Sequence, residues 1–327
     1  MEINNSKSTF TPPHSLNTAV LFLVFNRLDT TKQVFEAIRQ AKPPRLYVAA
    51  DGARETKEGE VEKVKAVRDY IISNIDWECE VKTLFREQNF GCKMAVSGAI
   101  TWFFENEEMG IILEDDCLPS QSFFWFCEEL LEKYKIEPKV SMITGTSYLF
   151  NEVLSDNDYF MSKYMSIWGW ASWRRVWNKY DIEMKEWPQV KKYNLLNGIF
   201  YWDKYVKDTF TASFDLAFDK NINTWDIQFV LKCIMEDTYC ITPYKNLISN
   251  LGYDGTRSSN SPFLDMRRVE LSSCGDLQYD LPVMHDLAID KILFRNIFYR
   301  FKKFKPLSLL LIKLGLYEKV KRIVGIR

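Results

Sequence analysis

The sequence predicts an α/β protein. A mostly parallel sheet flanked by helices fills the first half, an irregular, aromatic-rich second half follows, and a basic helical tail closes the chain. Three observations predict it. Residues 18–25, 46–50 and 111–113 are continuous apolar runs, the pattern of strands buried on both faces. Segments with helical spacing separate them, so strand and helix alternate as in right-handed βαβ units. Each of these runs also ends on polar residues: Asn26-Arg27, Asp51-Gly52 and Glu114-Asp115-Asp116. A parallel sheet gathers such ends along one edge, where open α/β sheets bind their ligands.

After the first strand, Asp29 or Thr30 can cap a helix with Val34, Phe35, Ile38 and Ala41 inward, stopped by Pro43-Pro44. The second strand closes on Asp51-Gly52, and a charged helix covers roughly 58–73. Residues 79–85 alternate like a strand and lead to Phe90-Gly91-Cys92-Lys93. A helix over 92–105 then turns Val96, Ile100, Phe103 and Phe104 inward. Past the acids and Pro119, a helix runs to about Lys135 and a strand covers 140–143. The second half carries Trp168-Gly169-Trp170-Ala171-Ser172-Trp173, then Trp177, and Asn223-Thr224-Trp225-Asp226 leads into an apolar helix over 222–235. Residues 1–17 read as a polar tail, 18–150 and 151–288 as two halves of one domain, and 289–327 as a basic amphipathic tail.

With 327 residues, 46% hydrophobic and 27% charged, the chain can bury a sizeable core. A net charge of −1 gives no nucleic-acid footprint. The positive charge gathers at the end, where residues 291–327 hold eleven Lys or Arg against a single acid, Glu318. Seven cysteines without a CxxC pair suggest a reducing compartment. The polar start lacks the apolar run of a signal peptide, and no window reaches 18 apolar residues. The expectation is a soluble, cytoplasmic protein with the inner membrane face as a second location.

The acidic triplet is the chemical centre of the sequence. Adjacent carboxylates repel, so a fold keeps them together by sharing something cationic between them. Hard oxygen ligands without neighbouring Cys or His suit Mg²⁺ or Mn²⁺, ions that also take phosphate oxygens. The competing reading is that Asp116 or Ser120 caps the next helix. No Gly-x-Gly-x-x-Gly fingerprint or P-loop follows the first strand, so a nucleotide would be held by side chains and a metal ion.

These landmarks together resemble the GT-A (Rossmann-like) fold of nucleotide-sugar glycosyltransferases. Gly169-Trp170 with the later Trp225-Asp226 is similar to the N-acetylglucosaminyltransferase that initiates complex N-glycan branching. The resemblance spans roughly 18–260. It implies Asp116 as ligand of Mn²⁺ or Mg²⁺, Asp115 and Glu114 facing the ribose and donor sugar, and Asp51 reading the base. It further implies Arg27 and Lys93 near base or phosphates, and Asp226 as the catalytic base of an inverting enzyme. The partners it implies are a nucleotide-diphosphate sugar, with UDP-sugar favoured, and a glycan or lipid-linked acceptor. A sugar-phosphate nucleotidyltransferase and a non-catalytic nucleotide- or sugar-binding module are the alternatives.

Each residue also has a plainer reading. Asp226 opens a helix, where an acid is favourable through the dipole. Arg27 can be an ordinary surface arginine paired with Asp29, and Asp51-Gly52 can be a simple turn. Trp173 and Trp177 read as core, whereas Trp170 beside Gly169 is the candidate for stacking on a sugar. His285 could join the metal, or sit in the core or on the surface. Loop 246–261 could close over a donor. The tail, with Phe294, Ile297 and Phe298, could lie on anionic lipid or dock on the protein.

Overall fold

The computed structural model describes residues 10–299 apart from 151, 154, 254–267, 272, 280 and 281. The chain begins with β1 (Val20–Val24), α1 (Leu28–Ala41), β2 (Arg45–Ala50), α2 (Glu60–Asn74), β3 (Glu80–Phe85), α3 (Gly91–Asn106) and β4 (Met109–Glu114). A short β5 (Cys117–Pro119), α4 (Ser122–Lys133) and β6 (Val140–Thr144) complete the first half. The second half comprises β7 (Tyr159–Ser162), β8 (Trp170–Trp173), the short α5 (Arg174–Trp177), α6 (Trp187–Lys192) and α7 (Leu196–Ile199), then α8 (Lys204–Phe218) and α9 (Asp226–Met235). It ends with β9 (Tyr239–Pro243), β10 (Ile248–Asn250) and α10 (Leu287–Phe294).

Eight strands form one sheet in the order β3-β2-β1-β4-β8-β6-β9-β7, and β10 pairs with β5 beside it. Strands β1 to β4 are mutually parallel, with Val20 opposite both Leu46 and Ile111. All five residues of β1 are buried, as its apolar run requires of a central strand. Beyond β4 the sheet becomes mixed: β8 is antiparallel to both β4 and β6, β9 parallels β6, and β7 is antiparallel to β9. The expected α/β architecture, a mostly parallel sheet flanked by helices with aromatic clusters, is the one found, and each antiparallel pair within that sheet includes β7 or β8 of the second half.

Both described ends of the chain are docked. Leu16 is buried, Phe10 packs on Trp125, and the His14 carbonyl accepts from the Trp125 indole at 2.8 Å. At the other end Phe294 packs on Phe200, Trp202 and Phe210, and Ile297 is buried. The tail's first part therefore belongs to the core, and its remainder from residue 300 lies outside the described residues. Loop 246–261 also begins as structure: β10 lies against β5, and residues 254–261 are outside the described set. No described helix is long and apolar enough to cross a membrane.

Candidate active site

Because β1, β2 and β4 run in parallel, their carboxyl ends open onto one cleft of about 420 Å³. Arg27, Asp51, Glu114 and Asp115 line it, together with Arg54, Arg86, Asn89, Cys92 and Asn223. Arg27 supplies the cation that the acids require. Its Nη1 donates to Asp116 Oδ2 at 2.7 Å, while Nη2 and Nε both donate to Asp115. Asp29, the nearer acid in sequence, lies exposed on α1.

The helix-cap reading of Asp116 does not hold. The amino end of α4 is capped from far away, by Glu270, whose carboxylate accepts from the Gln121 and Ser122 N–H groups at 2.9 and 2.8 Å. Asp116 sits instead in the turn between β4 and β5, and its carbonyl accepts from Leu251 N–H at 2.7 Å. Burial and the neighbouring charges of Asp116, Asp115 and Asp226 push the Glu114 carboxyl up to about 8. Burial also raises Asp115, to about 6, against the pull of Arg27.

Asp51 lies in the cleft wall, and its carboxylate accepts from the backbone N–H groups of Phe90 and Gly91 at 3.0–3.1 Å. It thereby holds the amino end of α3 against the end of β2. Gly52 lets these segments meet, since a Cβ there would stand 2.4 Å from the Gln88 carbonyl carbon. Lys93 stands in the first turn of α3, where its N–H donates to Asn223 Oδ1 at 3.0 Å. Gly91, at φ +74°, is needed at this contact, because a Cβ would meet the Asn223 amide at 2.7 Å.

Asn223 belongs to the segment that delivers Asp226. Asp226 is the first residue of α9, and its carboxylate accepts a hydrogen bond from the Thr224 hydroxyl. The Gln228 amide donates to the Thr224 carbonyl at 2.9 Å, and Tyr180 donates to the Trp225 carbonyl at 3.1 Å. The charge of Asp226 reaches Glu114 and, after desolvation and Glu114, contributes to raising the Cys92 thiol.

Trp170 requires a correction. It is 0% exposed, pairs with Ile112 and Thr144 in the middle of the sheet, and stacks on Trp225 with ring centroids 5.7 Å apart. It has no open face for a sugar; it supports the residue that precedes Asp226. His285 is also remote from the acids. Its ring packs on Tyr239 at the amino end of β9, and because β9 runs with β6 and β4, that is the opposite edge of the sheet.

Three residues at the cleft have no place in the sequence reading. Glu60, 4% exposed at the start of α2, accepts from the Asn26 amide at 2.8 Å and from the backbone and guanidinium of Arg54. Arg54 lies over the Phe25 ring at 5.5 Å. Arg86 donates to the Ala95 carbonyl at 2.9 Å, sits over the Phe90 ring, and fits against α3 because Gly98 has no side chain. A glutamate directly after Gly59 is the one signal that could have marked Glu60.

Could these residues hold a divalent ion? Among the described residues no three His, Cys, Asp or Glu side chains form a group able to hold one unaided. Asp116, which pairs with the cleft residue Arg27 but does not itself line the cleft, keeps 13% of its side chain exposed. One hard carboxylate fits an ion that brings phosphate oxygens with it, the usual habit of Mg²⁺ at nucleotide sites.

No protein-family model matches the chain, and no curated protein matches it. Among solved structures it is similar to residues 1–349 of S. aureus TarS, at 10% identity and a TM-score of 0.44, over 95% of this chain and 81% of that one. It is also similar to UDP-glucose pyrophosphorylase complexed with UDP-glucose, at 12% identity and 0.36, over 72% and 94%. A third is the galactosyltransferase LgtC in complex with donor and acceptor sugar analogues, at 14% and 0.30, over 56% and 70%. These likenesses assign no role to any residue.

Proposed function

We propose that the chain is a metal-dependent glycosyltransferase that moves a sugar from a nucleotide-diphosphate donor to a glycan or lipid-linked acceptor. The observation that carries this reading is the convergence of Arg27, Asp51, Glu114, Asp115, Asp116 and Asp226 at one sheet edge. Asp51 and Arg27 line the donor side. Asp116 would hold Mn²⁺ or Mg²⁺, which as a Lewis acid offsets the charge of a departing diphosphate. Asp226, oriented by Thr224, is the base for the acceptor hydroxyl, and an attack from its side inverts the anomeric centre. The basic segment beyond residue 300 adds attraction to an anionic membrane surface.

The test is thermal stability with UDP, GDP, CDP and dTDP, each with and without Mn²⁺. A ligand at 100 times its Kd adds about 2.7 kcal/mol, so one nucleotide is expected to raise the melting temperature only with metal. Asp116→Asn should remove that metal-dependent rise; unchanged nucleotide affinity with Mn²⁺ refutes the metal assignment. Asp226→Asn should keep the rise and lose transfer by at least about 10²-fold. Turnover near wild type makes Asp226 a helix-start acid and nothing more. Formation of a nucleotide sugar from a nucleoside triphosphate and a sugar phosphate would establish the nucleotidyltransferase instead.

A further inference from the structure

The acids after β4 already share a cation that belongs to the chain. Arg27 is the residue before α1, and its carbonyl accepts from the Thr31 N–H at 3.0 Å and the Thr31 hydroxyl at 2.6 Å. Its backbone is therefore fixed by the helix it starts, while its side chain reaches across to the end of the neighbouring strand. The guanidinium takes one oxygen of Asp116 and both oxygens of Asp115, which is 3% exposed. Arg27, Asp115 and Asp116 together carry a single negative charge, so an approaching divalent ion meets half the attraction that two free carboxylates would offer. It also meets a fixed positive charge 2.7 Å from Oδ2 of the Asp116 carboxylate.

We infer that Arg27 and the divalent ion compete for Asp116. The free protein holds the ion weakly, and tight binding requires a nucleotide diphosphate, whose oxygens complete the shell of the ion and give the guanidinium another anionic partner. Ion and nucleotide then strengthen each other's binding reciprocally. This rests on the assignment of the ion to Asp116 made above.

The experiment titrates Mn²⁺ against wild type, Arg27→Gln, Arg27→Met and Arg27→Lys, reading free Mn²⁺ by electron paramagnetic resonance with and without UDP, corrected for Mn²⁺ held by UDP alone. Arg27→Gln keeps a donor toward Asp115 and serves if the Met variant fails to fold. Without nucleotide, the neutral variants should bind Mn²⁺ about tenfold tighter than wild type, and UDP should enhance their binding less, within the ordinary range of site-to-site coupling. Arg27→Lys, which retains the charge, should stay near wild type. If wild type binds Mn²⁺ tightly with UDP and Arg27→Gln alone is no tighter than wild type alone, the competition is refuted and the metal assignment stands. If Arg27→Lys is as tight as Arg27→Gln, charge is not the cause and the inference also falls. If neither wild type nor variants bind Mn²⁺ even with UDP, the metal assignment fails, and the competition with it.

Discussion

Glu60 offers the sharpest test of how the cleft is held in shape. Its two oxygens meet four donors: the Asn26 amide and Arg54 Nη2 on Oε1, Arg54 Nε and N–H on Oε2. A glutamine has one acceptor oxygen, so in either orientation of Glu60→Gln an amide NH₂ faces donors. The Arg54 hydrogen bonds chiefly hold the Glu60 carboxyl down, from an ordinary 4.5 to about 2. At about 1.4 kcal/mol per tenfold change this shift corresponds to roughly 3 kcal/mol. Arg54 keeps 46% of its side chain exposed, and solvent screening reduces the expected loss to about 1–2 kcal/mol. The sign follows from linkage. A carboxyl depressed in the folded state contributes its full stability above 4.5 and loses it as pH falls toward 2. Melting temperatures of wild type and Glu60→Gln should thus differ at pH 7 and converge as pH falls through that window. Nucleotide affinity at pH 7 should weaken as well, since Asn26 and Arg54 lose their anchor. Equal melting at pH 7, or a gap that does not narrow as pH falls toward 2, refutes the reasoning.

Trp170→Ala should lower stability by about 3–5 kcal/mol, the cost of truncating a large buried aromatic. The milder Trp170→Phe should bind a sugar nucleotide and its nucleoside diphosphate in the wild-type ratio; a selective loss for the sugar nucleotide would restore the stacking role. Gly52→Ala should cost about 1–3 kcal/mol by forcing its Cβ against the Gln88 backbone, as denaturant unfolding would show. Thr224→Val removes the hydroxyl donated to Asp226, and transfer should fall about tenfold with donor affinity unchanged, an effect the size of one hydrogen bond to a charged group. Equal losses in both would make Thr224 a folding residue.

The strands of the first half were legible because central parallel strands carry unbroken apolar runs, and the convergence of their ends is a matter of topology. β8 was not legible. Trp170-Ala171-Ser172-Trp173 has no clean alternation, and it pairs with β4 and β6, which precede it by many residues. That hidden pairing misled the reading of Trp170, whose neighbour Gly169 suggested exposure while the sheet enclosed it. The need for a cation among the acids was legible from electrostatics, but the choice of Arg27 required the β1–β4 register that brings residue 27 beside residue 115. Glu270 capping α4 and Glu60 holding Arg54 depend on loop paths that hydrophobic spacing does not encode.

The acids of this cleft are answered in different ways. Asp115 and Asp116 are met by a guanidinium, Asp51 by two N–H groups at the start of α3, and Glu60 by Arg54. Glu114 has no cationic partner of its own among the described hydrogen bonds, and desolvation together with the charges of Asp116, Asp115 and Asp226 pushes its carboxyl up. Arg86 meets a carbonyl and a ring. The edge that reads in sequence as strongly acidic is thus compensated in part by Arg27, Arg54 and Arg86, which face it in the fold. Asp226 stands apart, since the hydrogen bond described for its carboxylate comes from the Thr224 hydroxyl.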